Sequence, residues 1–189
     1  MQKKRALVTT IVFILIFTIA MPVLSGEVAG VTMAERTTIG EKNLVLNGMG
    51  LRKKLMFKVY VAGLYLEARS SNASTVVSSD QTKRVDMVMI RDLDKEKITE
   101  AVEEGFEKNN KASMPALRER LDRFNAGIAD LKEGDHLTIT YDPGVGTTLE
   151  GKGGSSLVIE GKDFADALFS VWFGTYPVDE KLKSGMLGS

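Results

Sequence analysis

The chain has 189 residues, with 25 basic and 25 acidic side chains, a single histidine and no cysteine. These counts exclude a disulfide scaffold, thiolate-held metal or iron–sulfur clusters and a cysteine nucleophile, and one histidine argues against a His-based metal site or a Ser-His-Asp triad. The neutral balance also lacks the excess of Lys and Arg that a nucleic-acid surface needs.

Lys3, Lys4 and Arg5 precede an apolar run from Ala6 to Ala20, and Pro22 breaks that run just before the small residues Ser25 and Gly26. This is the layout of a secretory signal peptide, with the cut after Ser25 and Val23 three positions before it. An uncleaved membrane anchor is the other reading, because the run extended to Leu24 approaches the roughly 20 residues that span a bilayer. The expectation is therefore a signal peptide over 1–25 and one exported, periplasmic domain over 26–189. That domain carries 22 basic and 25 acidic residues, net −3, and must be held by an apolar core alone. The sequon Asn72-Ala73-Ser74 is read as a chance match.

From Val31 to Ala68 the chain reads as strands: an opening segment through Ile39, then Leu44-Val45-Leu46, then the run from Phe57 to Leu66. That run is too apolar for one face to lie in water, so it is expected as a central strand covered on both sides. Lys83 to Ile90 alternates, with Val85, Met87 and Met89 on one face. Ile98, Ala101, Val102, Gly105 and Phe106 then fall at helical spacing, opposite a Glu and Lys face that is expected to be solvated. Ser113 is expected to cap a second helix with Pro115 in its first turn and a stripe from Met114 through Leu117, Leu121, Phe124 and Ile128 to Leu131, closed by Gly134. Strands resume at His136–Tyr141, Thr147–Glu150 and Ser156–Ile159, the last two joined by a hairpin turn over Gly151-Lys152-Gly153-Gly154. A helix from about Asp163 to Phe173 buries Phe164, Leu168, Phe169 and Trp172, and a short one follows near Asp179. The order predicts an α+β fold, antiparallel strands with helices on one face.

Little in this pattern carries chemistry by itself. Gly48-Met49-Gly50 and Gly144-Val145-Gly146 do not open a helix after a strand as a phosphate loop requires, and are read as turns or bulges. His136 has no carboxylate or hydroxyl partner nearby in sequence and is read as a surface histidine. Leu51-Arg52-Lys53-Lys54, a charge cluster between two apolar runs, is read as an exposed turn.

Taken together, Asn47-Gly48-Met49-Gly50-Leu51-Arg52, the run Phe57 to Leu66 and the segment Leu157 to Phe169 resemble the chalcone isomerase-like family in its bacterial exported branch. The likeness covers nearly all of residues 26–189 and includes Gly144 to Thr148 and the closing Phe173-Gly174 and Pro177. It implies an open-faced β-sandwich in which a large antiparallel sheet carries helices on one face, with a ligand cleft between them. In the plant isomerases an arginine stabilises the enolate that develops as the phenolate adds to its enone, while hydroxyl groups position the substrate. Arg52 matches that arginine and would be the catalytic residue of an isomerase. The other positions depart: Tyr60 stands for a threonine, Ile98 for a tyrosine, Gly105 for an asparagine, and Val171 and Trp172 for the specificity pair.

Losing those polar groups argues against the cyclisation, since a cleft without them does not hold a polyphenol in a reactive pose. The fatty-acid-binding relatives hold a carboxylate between an arginine and a tyrosine, which Arg52 and Tyr60 match. The resemblance thus implies a non-catalytic protein that binds a fatty acid or similar amphipathic carboxylate, with Ile98, Ala101, Val102, Phe106, Val171 and Trp172 as apolar walls. For each of those six, plain core packing is the competing reading. An active isomerase on a small enone, or an envelope interaction protein without a ligand, are the alternatives. No cofactor, metal or nucleic acid is expected.

Overall fold

The computed structural model describes residues 26–151, 154 and 156–189. The signal segment read over 1–25, and Lys152 and Gly153 of the glycine-rich turn, lie outside the described residues. A short hairpin of β1 (Gly26–Val28) and β2 (Val31–Met33) precedes a seven-stranded antiparallel sheet whose strands lie side by side in chain order. These are β3 (Arg36–Ile39), β4 (Lys42–Lys54), β5 (Phe57–Leu66), β6 (Lys83–Met89), β7 (His136–Asp142), β8 (Gly146–Glu150) and β9 (Ser156–Ile159). Helix α1 (Ala73–Ser78) lies between β5 and β6, α2 (Lys95–Asn110) and α3 (Met114–Ala126) between β6 and β7, and α4 (Lys162–Phe173) and α5 (Glu180–Met186) after β9. The α+β class and the sheet with helices on one face are as the pattern predicts.

Strand β5 is covered on both sides, which is why its run is apolar throughout. Ala62, Leu64 and Leu66 enter the main core under the helices, beside Phe106, Phe124, Phe164 and Phe169. Val61 and Tyr65 face the other way, into a smaller core with Met33, Leu44 and Leu46. The Tyr65 hydroxyl donates to the Ala34 carbonyl at 2.9 Å, tying the sheet to the chain just after the β1–β2 hairpin.

Of the turn-or-bulge reading of Gly48-Met49-Gly50 the bulge holds and the turn does not: the segment is the middle of β4, directly after a bulge. Leu51 to Lys54 is the end of the strand, and the chain reverses right after it, at Leu55 and Met56. Asn47 is the extra residue of a β-bulge, since Leu46 pairs with Tyr65 and Gly48 with Leu64. The bulge changes which face each side chain takes. Leu44 and Leu46 face the smaller core, whereas Gly48, Gly50 and Arg52, of the same parity, face the helices. Buried Asn47 holds the bulge by accepting from Ser70 N at 2.7 Å and donating to the carbonyls of Ser70 and Met186 at 3.0 and 2.8 Å. The glycines then admit α5 against the strand. A Cβ on Gly50 would sit 2.5 Å from the Leu182 carbonyl, and one on Gly48 would run into that of Gly185.

Further details refine or correct the pattern. Asn72 of the sequon caps the short α1, accepting from Thr75 N at 3.0 Å. Ser113 makes no side-chain cap, and α3 ends at Ala126 rather than near Gly134. Ile128 and Leu131 are buried all the same, because the chain beyond Gly127 turns back to exchange two backbone bonds between Leu131 and Leu93. His136 is exposed, as a surface histidine, and its partner comes from across the sheet, Asp86 on the neighbouring strand at 3.3 Å.

Lys83 is fully buried, an unusual place for an ammonium. Its Nζ donates to the carbonyls of Val76, Val77 and Ser79 at the C-terminal end of α1, and lies over the Phe169 ring at 4.9 Å. Burial pushes its pKa down to about 8, with Asp166 opposing. In the unfolded chain Lys titrates near 10.4. Between those values the unfolded chain holds the extra proton, so stability rises with pH.

Two outcomes follow. Asn47→Ala, which strands Ser70 N and the Met186 carbonyl, is expected to lower unfolding free energy by about 1–3 kcal/mol in urea titrations. Wild-type stability is expected to climb from pH 8 towards pH 10, and that slope is expected to flatten in Lys83→Met.

Candidate functional site

The pairing of β4 with β5 sets Arg52 directly opposite Tyr60, and β6 sets Met89 opposite Tyr60 in turn. Cross-strand partners share a face, and here it is the face towards the helices. A second bulge, at Val59, brings Val59 into the same cleft as Tyr60. Above this floor α2 supplies Ile98, Ala101 and Val102 at i, i+3 and i+4, and α4 supplies Val171 and Trp172. Helices α2 and α4 approach closely because position 105 is glycine; a Cβ there would sit 2.9 Å from both Val171 methyls. An asparagine does not fit at that position without moving α4.

The result is an apolar cleft that opens to solvent and encloses a cavity of about 100 Å³. Seven of the eight residues named from the sequence line it: Arg52, Tyr60, Ile98, Ala101, Val102, Val171 and Trp172. Phe106 does not. It is wholly buried one turn along α2, its ring 5.7 Å from that of Phe164, and so belongs to the packing behind the cleft. The sequence reading missed the rest of the wall, which includes Met87, Leu93, Phe124, Leu137 and Ile139, and the rim lysines Lys54 and Lys97. Alternation marks Met87, Leu137 and Ile139 as inward-facing, but not as facing a cavity.

The polar chemistry is all of one kind. Trp172 Nε1–H donates to the Tyr60 hydroxyl oxygen at 3.1 Å, which orients the phenol and leaves its own proton without an acceptor among the described residues. Burial raises the Tyr60 pKa, against the Trp172 bond and the charge of Arg52, so the hydroxyl stays protonated. Arg52 uses only Nη1, which donates to the Lys53 carbonyl at 2.6 Å and lies 3.4 Å from Asp179 Oδ2. Its Nε and Nη2 make no hydrogen bond among the described residues. Asp179 in turn caps α5, accepting from Lys181 N and Leu182 N at 2.8 and 3.0 Å, and from Lys53 N at 3.2 Å. Burial alone would raise its carboxyl. The backbone donors of Leu182, Lys53 and Lys181 and the charge of Arg52 outweigh that and hold it below the usual carboxylate range. Every polar side chain that lines the cleft, namely Arg52, Lys54, Tyr60, Lys97 and Trp172, therefore has a proton to offer, and no described carboxylate or imidazole lines it.

Residues 25–188 match the model of the family described as chalcone isomerase-like, and the chain belongs to that family. No curated protein sequence matches it. Among solved structures, its fold is similar to that of the fatty-acid binding protein AtFAP1 of Arabidopsis thaliana, with a TM-score of 0.67 and 17% identity over 87% of this chain and 96% of that one. Identity that low speaks for a shared fold.

The low pKa of Asp179 makes its ionised form a source of stability above the ordinary value near 3.9, lost as pH falls through the lower folded value. Asp179→Asn is accordingly expected to cost up to about 1 kcal/mol at pH 7, and the gap to wild type is expected to close in urea titrations carried towards pH 2.

Proposed function

We propose that the chain is a non-catalytic member of its family that binds a fatty acid or similar amphipathic carboxylate. The observation that carries this reading is the composition of the cleft: apolar walls, with hydrogen-bond donors as the only polar side chains among the described residues that line it. A ligand complementary to it has an apolar body and a head group rich in acceptors. A carboxylate suits the head position best, because the free Nε and Nη2 of Arg52 lie in one plane and match its two oxygens, and the Tyr60 proton adds a third bond. Asp179 holds the guanidinium by its far nitrogen and so keeps those two donors turned to a ligand. The likeness in fold to a plant fatty-acid binding protein supports the same reading.

Several features weigh against an isomerase. Ile98 and Gly105 replace a phenol and an amide, Gly105 by close packing against Val171, and Tyr60 is a neutral donor rather than a base. Arg52 is in this reading a ligand-binding residue rather than a catalytic one. We also propose that the domain works outside the cytoplasmic membrane after export in a bacterium. The basic and apolar layout of residues 1–25 supports this, as does a family match that begins at residue 25.

The test is native mass spectrometry of the detergent-free protein offered long-chain fatty acids, with fluorescent fatty-acid displacement to measure affinity. Wild type is expected to carry an adduct of fatty-acid mass. Arg52→Ala is expected to bind roughly 10–100-fold more weakly, the loss of one charged hydrogen-bonding group, and Tyr60→Phe to show a smaller loss. A wild-type protein that stays free of ligand, or an Arg52→Ala variant that binds as tightly, overturns the reading, as does turnover of an offered chalcone.

A further inference from the structure

The tip of the β4–β5 hairpin presents three consecutive large apolar side chains to solvent. Leu55 is 92% exposed, Met56 84% and Phe57 53%. Most other apolar residues of these two strands are in one of the two cores. The turn itself holds Leu55 out: its φ is +58°, a left-handed conformation for which glycine or asparagine is the ordinary choice. A leucine there gains nothing in the fold.

The charges carried by the hairpin itself are of one sign, and the nearest carboxylates, Asp179 and the Glu100 and Glu104 of α2, lie to the cleft side of it. Lys53, Lys54 and Lys58 flank the tip, all exposed, and none has an ion-pair partner among the described residues. No acidic residue occurs between Glu41 and Glu67, although residues 26–189 are net negative. Arg91 lies over the Phe57 ring at 4.9 Å and adds a fourth cation. The tip also stands at the cleft mouth: Lys54 lines both the cleft and an adjoining hollow, and that hollow includes exposed Tyr176. Four of the six large apolar side chains exposed among the described residues are thus Leu55, Met56, Phe57 and Tyr176.

We propose that this tip docks the molecule on an anionic lipid bilayer, Leu55, Met56 and Phe57 entering the acyl boundary while Lys53, Lys54 and Lys58 meet headgroup phosphates. The chemistry favours lipid over a protein partner. Protein interfaces bury broad surfaces and are depleted in lysine. A narrow apolar wedge between unpaired lysines has little area to offer a protein, but it supplies the two signals, apolar insertion and basic charge, that together hold a protein on a membrane. Docked this way, the mouth of the cleft faces the bilayer. The inference rests on the tip and stands whether or not the cleft takes a fatty acid, which displacement in vesicle-free buffer measures separately.

The natural absence of cysteine allows a single environment-sensitive fluorophore to be placed at the tip through Met56→Cys, with Val145→Cys as the comparison. Val145 is 51% exposed in the β7–β8 turn, at the opposite end of the sheet. Vesicles of phosphatidylcholine containing phosphatidylglycerol are expected to raise emission several-fold at position 56 and to leave position 145 unchanged. Phosphatidylcholine alone is expected to give a much smaller rise. High salt is expected to reverse the effect, and so is Lys53→Gln combined with Lys54→Gln and Lys58→Gln. Because salt acts on the unaltered lysines, that arm does not depend on the triple variant folding. The proposal is overturned by an unchanged signal at position 56, by equal rises at both positions, or by a rise that follows protein concentration without vesicles, which would mark the tip as a self-association surface.

Discussion

The cleft depends on the bulge at Asn47. One extra residue in β4 exchanges the faces of its two halves, so that Leu44 and Leu46 close the smaller core while Arg52 turns towards the helices. Removing the bulge while keeping the strand pairing would send Arg52 to the wrong side of the sheet. The same residue ties the bulge to Ser70 and to the carbonyl end of α5, and the glycines at 48 and 50 admit α5 to contact distance. Strand, bulge and C-terminal helix are in this sense one device. It ends at Asp179, which caps α5 and holds Arg52.

Electrostatics divides the labour at the site. Asp179 satisfies one nitrogen of the guanidinium, and Trp172 satisfies the oxygen of the Tyr60 phenol. Each partner occupies the part of its group that faces the protein and leaves the donors free. An unpaired buried donor is costly, and such a cost is tolerated where a ligand removes it. The apolar walls serve the same end, since a charge-assisted bond is stronger where water is excluded.

The hairpin tip follows from the same strand. Beyond Arg52, β4 leaves the covered part of the sheet, and the exposed lysines and Leu55 to Phe57 project past the cleft mouth. A site for an amphipathic molecule and a surface suited to a membrane lie within a few residues of each other. Exchange between bilayer and cleft would then need no long passage through water.

By itself the sequence determined the fold class, most strands and helices, the inward stripes and, through its motifs, Arg52 and Tyr60, because side-chain period and turn chemistry are local properties. The bulge was legible too, in retrospect: Leu44 and Leu46 share one parity, Met49 and Leu51 the other, and the change falls at Asn47-Gly48. Only the tertiary structure decided the rest. Whether an apolar helix position meets a cavity or another side chain depends on what lies opposite, which is why Val102 lines the cleft and Phe106, four residues on, does not. The partnership of Arg52 with Asp179 spans 127 residues, and the donors left free exist only once every neighbour is in place.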